Sequence, residues 1–198
     1  MTAVSWIVVA ICLVLVLAWY LSYSAARLDR LHAKVEGALS ALDAHVVRRA
    51  EASLELVNSG AIDPASGFLI AAAASQSLER VNEHTFESDL LEGQHFAGRE
   101  SVESELTEAL LAALPPEVVL EVTSAGGPGA AALDRVREAG LRVQLARRFH
   151  NEAVKEVQRV RAKRVVRVFR LAGHADLPQT VEFDDCLLYT SDAADDMQ

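Results

Sequence analysis

The sequence predicts an all-α protein in which one N-terminal transmembrane helix continues into an antiparallel, up-down bundle of long helices. Three observations predict it. The uncharged run from Val4 to Leu21 is as long as the ~18 apolar residues that a membrane-spanning helix needs. Beyond it, apolar residues recur at spacings of three and four, the period of a helix with one buried face. Glycine, proline and aromatic residues are few, Ala, Leu, Val, Glu and Arg dominate, and no stretch alternates at the period of two that a strand requires.

Trp6 stands near one end of the apolar run and Trp19, Tyr20 and Tyr23 near the other, where rings favour the headgroup boundary. No Lys or Arg precedes the run, and it exceeds the ~7 to 15 residues of a signal-peptide core. An anchor is therefore expected over 1–23, with a signal cleaved near Ser24-Ala25-Ala26 as the alternative. Arg27, Arg30 and Lys34 follow the run. Cationic flanks stay cytoplasmic, so the short N-terminus is expected outside and residues from 24 onward inside. At the far end, Cys186 to Asp196 resembles the in-frame translation of a transposon-based sequencing adapter. Residues 186–198 are accordingly expected not to be native, a natural acidic tail being the alternative, and the bundle is assigned to 24–185. Setting aside Asp192, Asp195 and Asp196 takes the formal charge from −9 to −6. Cys12, then the one cysteine left, acts as a small hydrophobe within the apolar run, so neither a disulfide nor a thiolate metal site is expected.

Leu28, Leu31, Val35, Ala38 and Leu42 form a near-heptad stripe, with Val46 and Leu56 further on. The membrane helix is expected to run unbroken along that stripe until Asn58-Ser59-Gly60 stops it. Asp63 and Pro64 restart the chain as N-cap and first helical residue, and the second helix carries Phe68, Leu69, Ala72, Ala73 and Leu78 towards Leu91. Glu92 to Gly98 is the expected turn. A third helix, Arg99 to Leu114, presents Val102, Leu106, Ala109, Leu110 and Ala113 and ends where Pro115-Pro116 forbid continuation. Pro116 to Val122 reads equally as a short turn of helix or an extended piece. Ala125-Gly126-Gly127-Pro128-Gly129 reads as a loop, without the preceding strand or following Gly-Lys pair of a phosphate cradle. The last helix, Ala130 to Leu171, places Leu133, Val136, Leu141, Leu145, Phe149, Ala153, Val157 and Val160 near one face, and Gly173 ends it. Leu177-Pro178 and Gln179 to Phe183 read as an extended strap rather than a sheet.

Within the last helix, Ala146-Arg147-Arg148-Phe149-His150-Asn151-Glu152-Ala153-Val154 resembles the most distinctive motif of the LemA family, Ala-Arg-Arg-Phe-Tyr-Asn-Asp-Ala-Val, with His150 in place of tyrosine. Val47-Arg48-Arg49-Ala50-Glu51 is similar to that family's Arg-Arg-Ala-Asp element at the end of its first helix. The proline that often follows there is absent from Ala52-Ser53-Leu54-Glu55-Leu56. Leu171 to Pro178 and Val181 to Asp185 resemble the C-terminal strap of a branch found in high-GC bacteria, which sixteen arginines against three lysines fit. The resemblance implies a LemA-like bundle anchored in the bacterial inner membrane, its N-terminus outside and its C-terminal domain cytoplasmic. It brings no catalytic residues.

His32, His45, His84, His95, His150 and His174 form neither an HxxxH pair nor an HExxH helix, and Glu83-His84 with Glu87 is the nearest approach to a ligand cluster. No nucleophile elbow, Walker loop or dinucleotide fingerprint occurs, so no catalytic, cofactor-binding or metal-ligating residue is assigned. The family motif, Arg147, Arg148, Phe149, His150 and Asn151, is the polar element of interest. Phe149 is expected in the core, with Arg147, Arg148 and Asn151 bonded to neighbouring helices, Glu51 and Glu55 being candidate partners. The alternative is a small ligand held between helices near Phe149, His150 and Asn151.

Charge is uneven along the chain. Arg147 to Arg170 holds nine basic residues against Glu152 and Glu156, whereas Glu79 to Glu121 holds eleven acids against Arg80 and Arg99. The acidic total and the lack of interleaved aromatics argue against nucleic acid. An up-down topology returns the end of the last helix to the bilayer, since ~40 residues at ~1.5 Å span ~60 Å, against ~50 Å for the soluble part of the first helix. Arg159, Arg161, Lys163, Arg164, Arg167 and Arg170 are thus expected at anionic headgroups, each worth up to ~1 kcal/mol, with Val165, Val166, Val168 and Phe169 dipping between them. A solvated face making ion pairs is the alternative. The expected function is that of a non-enzymatic scaffold or adaptor for unidentified envelope proteins, compatible with a homo-oligomer; a ligand sensor or transporter accessory is the other reading.

Overall fold

The computed structural model describes residues 3–87, 96, 98–169 and 177–185. It contains helices α1 (Ala3–Asn58), α2 (Pro64–Glu87), α3 (Glu100–Ala113), α4 (Pro116–Ala125), α5 (Gly127–Arg161) and α6 (Arg164–Val168). Among the described residues there is no strand, and 177–185 run as a strap without regular structure. Glu92 to His95 of the expected turn, Arg170, Gly173, and residues 186–198 lie outside the described residues.

α1 runs unbroken for 56 residues, as its uninterrupted pattern requires. Its most apolar 18-residue window has a mean hydropathy of 2.6 and no part of it is covered by the rest of the chain, so this helix is long and apolar enough to cross a membrane. Beyond Tyr23 the character changes: Leu28, Leu31, Val35, Leu42, Val46, Ala50 and Leu56 are buried. Gly60, at φ 69°, turns the chain after the helix. The Asp63 carboxylate then caps α2, accepting the Ala65 and Ser66 N–H groups at 2.9 and 3.0 Å. The Ser66 side chain, followed by those N–H groups, favours the charged form and holds Asp63 below its ordinary pKa.

The core lies along the seam of α1 and α5 in three layers. Leu28, Leu31 and Val35 pack with Ala153, Val154, Val157 and Val160. Leu42 and Val46 pack with Val143 and Ala146. Ala50 and Leu56 join Leu133 and Val136, together with Ile70 of α2, Leu106 and Leu110 of α3, and Val119 and Val122 of α4. Ion pairs mark both ends of the seam, Lys34 with Glu156 at 3.1 Å and Glu55 with Arg135 at 2.7 Å, so α1 and α5 pair in opposite sequence order. α2 packs on α1, α3 on α2, and α4 on α5.

Pro116–Ala125, which the sequence left open between helix and extended chain, is helical, the proline serving as a first-turn residue. Three expectations need correction. The expected glycine loop shrinks to Gly126, and α5 begins at Gly127; within its first turn Gly129 lies against Ala61, whose Cβ would stand 2.4 Å from any Cβ placed there. α5 also stops at Arg161; the chain turns at Ala162 and Lys163, and α6 folds Val166 into the Leu28 layer rather than leaving it at a lipid surface. Finally, Leu141, Leu145 and Phe149 are not buried but 63, 53 and 57 % exposed. The buried row of α5 is Val136, Gly140, Val143, Ala146, His150, Val154 and Val157. Small and β-branched side chains there receive the leucines of α1, whereas Leu141, Leu145 and Phe149 would set bulk against bulk in the seam. On α2 the buried row is likewise Gly67, Ile70, Ala74 and Ser77, with Phe68 and Leu69 exposed.

Candidate functional site

Polar side chains collect around the strap. Its backbone has no ladder to join, so its N–H and C=O groups need side-chain partners. Asn151 supplies two: its amide accepts the Val181 N–H and donates to the Val181 carbonyl, both at 2.9 Å. Gln158 donates to the Pro178 carbonyl at 2.9 Å and Gln144 to the Asp185 carbonyl at 2.6 Å. From α3, the Glu100 carboxylate accepts the Glu182 N–H at 2.8 Å and the Ser104 hydroxyl accepts the Asp184 N–H at 3.1 Å. The strap is therefore laced on one side to α5 and on the other to α3.

Arg147 fixes its end, donating to both oxygens of Asp185 at 2.6 and 3.1 Å, the bidentate geometry in which a guanidinium holds a carboxylate most firmly. Alternation along the strap turns Val181 and Phe183 inward, where both are buried. The Phe183 ring stacks on Phe96 at a centroid distance of 5.8 Å. Arg147 and Arg49 lie over the same ring at 5.6 and 5.9 Å, and Arg99 lies over Phe96 at 4.8 Å. Arg99 is also paired with Asp43 of α1.

Beneath the ring stack lies a buried network across three helices. Arg49 donates to the Glu103 carboxylate at 2.7 Å, to the Glu103 carbonyl at 3.0 Å and to the Thr107 hydroxyl at 3.0 Å. Ser77 of α2 donates to the other Glu103 oxygen at 2.7 Å. Thr107 has one proton to give, and its shorter contact, 2.6 Å, is with the Asp184 carbonyl of the strap. The network thus ties α1, α2 and α3 to the strap through one cation.

Arg147, Arg148, Phe149, His150 and Asn151 do not converge on one point. Arg147 and Asn151 hold the strap, not Glu51 or Glu55; Glu55 pairs with Arg135 instead. Arg148 is exposed, and Phe149 turns outward rather than into the core. His150 is buried where α5, α1 and the strap meet. Burial pushes its imidazole below the ordinary value, and the nearby backbone of Gln179 and Val35 and the charge of Asp43 offset this only in part. Its ring forms no well-aligned hydrogen bond. Of the basic set, Arg159, Lys163, Arg164 and Arg167 are exposed and Arg161 half-buried. Among the described residues no three His, Cys, Asp or Glu side chains form a group that could hold a metal; the side chains of Glu83, His84 and Glu87 lie outside the described set.

Sequence reasoning overlooked Arg49, Glu103, Ser77 and Thr107 as a unit. A signal was present, since Arg49 falls in phase with Leu42, Val46, Ser53 and Leu56, on the buried face of α1. A cation on an apolar stripe demands a partner.

Among the described residues, fold and geometry thus define an all-helical protein with one membrane-length helix and a strap-bound polar seam. Compared with protein-family models, curated proteins and solved structures, the chain matches none.

Proposed function

We propose that the chain is a LemA-like, single-pass protein of the bacterial inner membrane, its N-terminus outside and an antiparallel up-down bundle at the cytoplasmic face. In this reading it acts as a non-enzymatic scaffold or adaptor for other envelope proteins. The observation that carries it is the wholly uncovered apolar window of α1, continuous with a helix whose later turns are packed into a core. Apolar surface of that extent needs lipid or a partner. Further support comes from the polar seam, whose arginines and amides are engaged in holding helices and strap together. The opposite pairing order of α1 and α5 supports the antiparallel arrangement. The row Leu141, Leu145 and Phe149 is the surface most suited to a protein partner.

Membrane fractions of cells expressing the chain should retain it through alkaline carbonate extraction, with a fluorescent-protein fusion after residue 185 active and an alkaline-phosphatase fusion there inactive. Release by carbonate, or the opposite pattern of fusions, overturns the reading. Proximity labelling from the bundle should mark membrane-envelope proteins, and substitution of Leu145 and Phe149 by Ser should erase that pattern while leaving the anchor intact.

A further inference from the structure

We propose that α6 and the adjoining turn of α1 form a basic collar that docks on anionic lipid headgroups, with Val168 and Phe169 entering the interface. The inference rests on the membrane anchoring proposed above. Its geometric basis is that Val166 shares one buried cluster with Leu28 and Leu31, which brings α6, remote in sequence, to the end of the core nearest the apolar helix. At ~1.5 Å per residue, Val4 to Leu21 covers ~27 Å, close to a ~30 Å hydrocarbon core, and Leu28 lies only ~10 Å further on. The headgroup layer outside the hydrocarbon is ~5–8 Å thick. α6 is therefore held at its outer edge, on whichever side of the membrane the bundle lies.

Charge at this level is predominantly positive. Arg27 and Arg30 of α1 and Lys163, Arg164 and Arg167 around α6 are exposed, and Asp29 is the single acid within 24–33 and 159–169. Beside them Val168 and Phe169 are 75 and 46 % exposed. Apolar tips flanked by cations on a short helix suit an interface in which rings and methyl groups sink while the charges meet phosphate. Val166, facing the opposite way into the core, fixes which side of α6 looks outward. A surface of this kind would bind neutral lipid weakly, because its apolar part is small; the cations decide the affinity.

The test uses the full chain with Cys12→Ala and Cys186→Ser, carrying Val168→Cys labelled with an environment-sensitive fluorophore, reconstituted in phosphatidylcholine vesicles with and without phosphatidylglycerol. The label should shift to shorter wavelength and gain intensity when phosphatidylglycerol is present. High salt should reverse the shift, and Lys163→Glu with Arg164→Glu and Arg167→Glu should abolish it. The same label at Leu145→Cys, in the middle of α5, should respond to neither lipid. Helix content measured on the triple variant verifies that it folds. A label at 168 that reads the same in both lipids, or a triple variant that still responds, overturns the collar while leaving the anchor standing. Loss of the protein from the vesicles under alkaline carbonate overturns anchor and collar together.

Discussion

Arg49 and Glu103 meet at 2.7 Å with side chains 0 and 1 % exposed, an ion pair wholly withdrawn from water between α1 and α3. Removing one member leaves the other charged and buried. Arg49→Met should therefore destabilise the bundle by about 3–5 kcal/mol. Pairing it with Glu103→Leu should recover most of that loss, because two apolar groups need no partner. Thermal unfolding of detergent-solubilised protein, followed by circular dichroism, measures both; a single variant as stable as its parent would contradict the pairing.

The strap should loosen when its side-chain ties are cut. Asn151→Ala removes both bonds to Val181, and Asp185→Asn weakens the clasp of Arg147. At about 0.5–1.5 kcal/mol per hydrogen bond, amide exchange at Val181 should rise roughly tenfold in the first variant. The second should make 177–185 more sensitive to protease. Unchanged exchange at Val181 would show that the amide is not what secures the strap.

Stability should depend on pH in one direction. The folded pKa of His150 lies below the 6.5 of an unfolded imidazole, so as pH falls the unfolded chain takes up its proton first. Stability is then full above 6.5 and declines as pH drops from there towards the folded value. His150→Gln should flatten the decline without removing it, because His45 is also lowered, through burial and the charges of Arg48 and Arg142. Melting temperatures from pH 8 to pH 5, at about half-unit steps, test this; a slope of opposite sign would refute it.

Gly129→Ala should cost about 1–3 kcal/mol, since its methyl group would fall 2.4 Å from Ala61 Cβ and neither atom can swing aside. Gly37→Ala in α1, where a Cβ meets nothing within 4 Å, should be neutral or slightly stabilising. Equal effects at the two sites would remove the close approach as the explanation.

Much of the helical layout was legible because its signals are local. An uncharged run, an Asp-Pro start, a Pro-Pro break and a Gly60 stop act through the nearest few peptide groups, whatever the rest of the chain does. The strap was legible for the same reason, as a segment with neither helical period nor partner strand. Which way each helix faces was not. α5 bears two apolar rows, and either satisfies the spacing rule; α1 and the strap together selected the row with Val143 and Ala146 over the row with Leu145 and Phe149, by accepting the smaller side chains against the leucines of α1. The candidate site was legible only in its members. Arg147 and Asn151 stood out as a motif, but Asp185 and Val181, their partners, lie more than a helix away along the chain, and Arg49 needed Glu103 from another helix. Local sequence determined where α1 ends, where α2 begins and where α3 ends, since the signals there act within four residues, but not the ends of α5. Tertiary structure decided which faces and charges meet, since volume and buried charge are balanced only between segments that the chain brings together on folding.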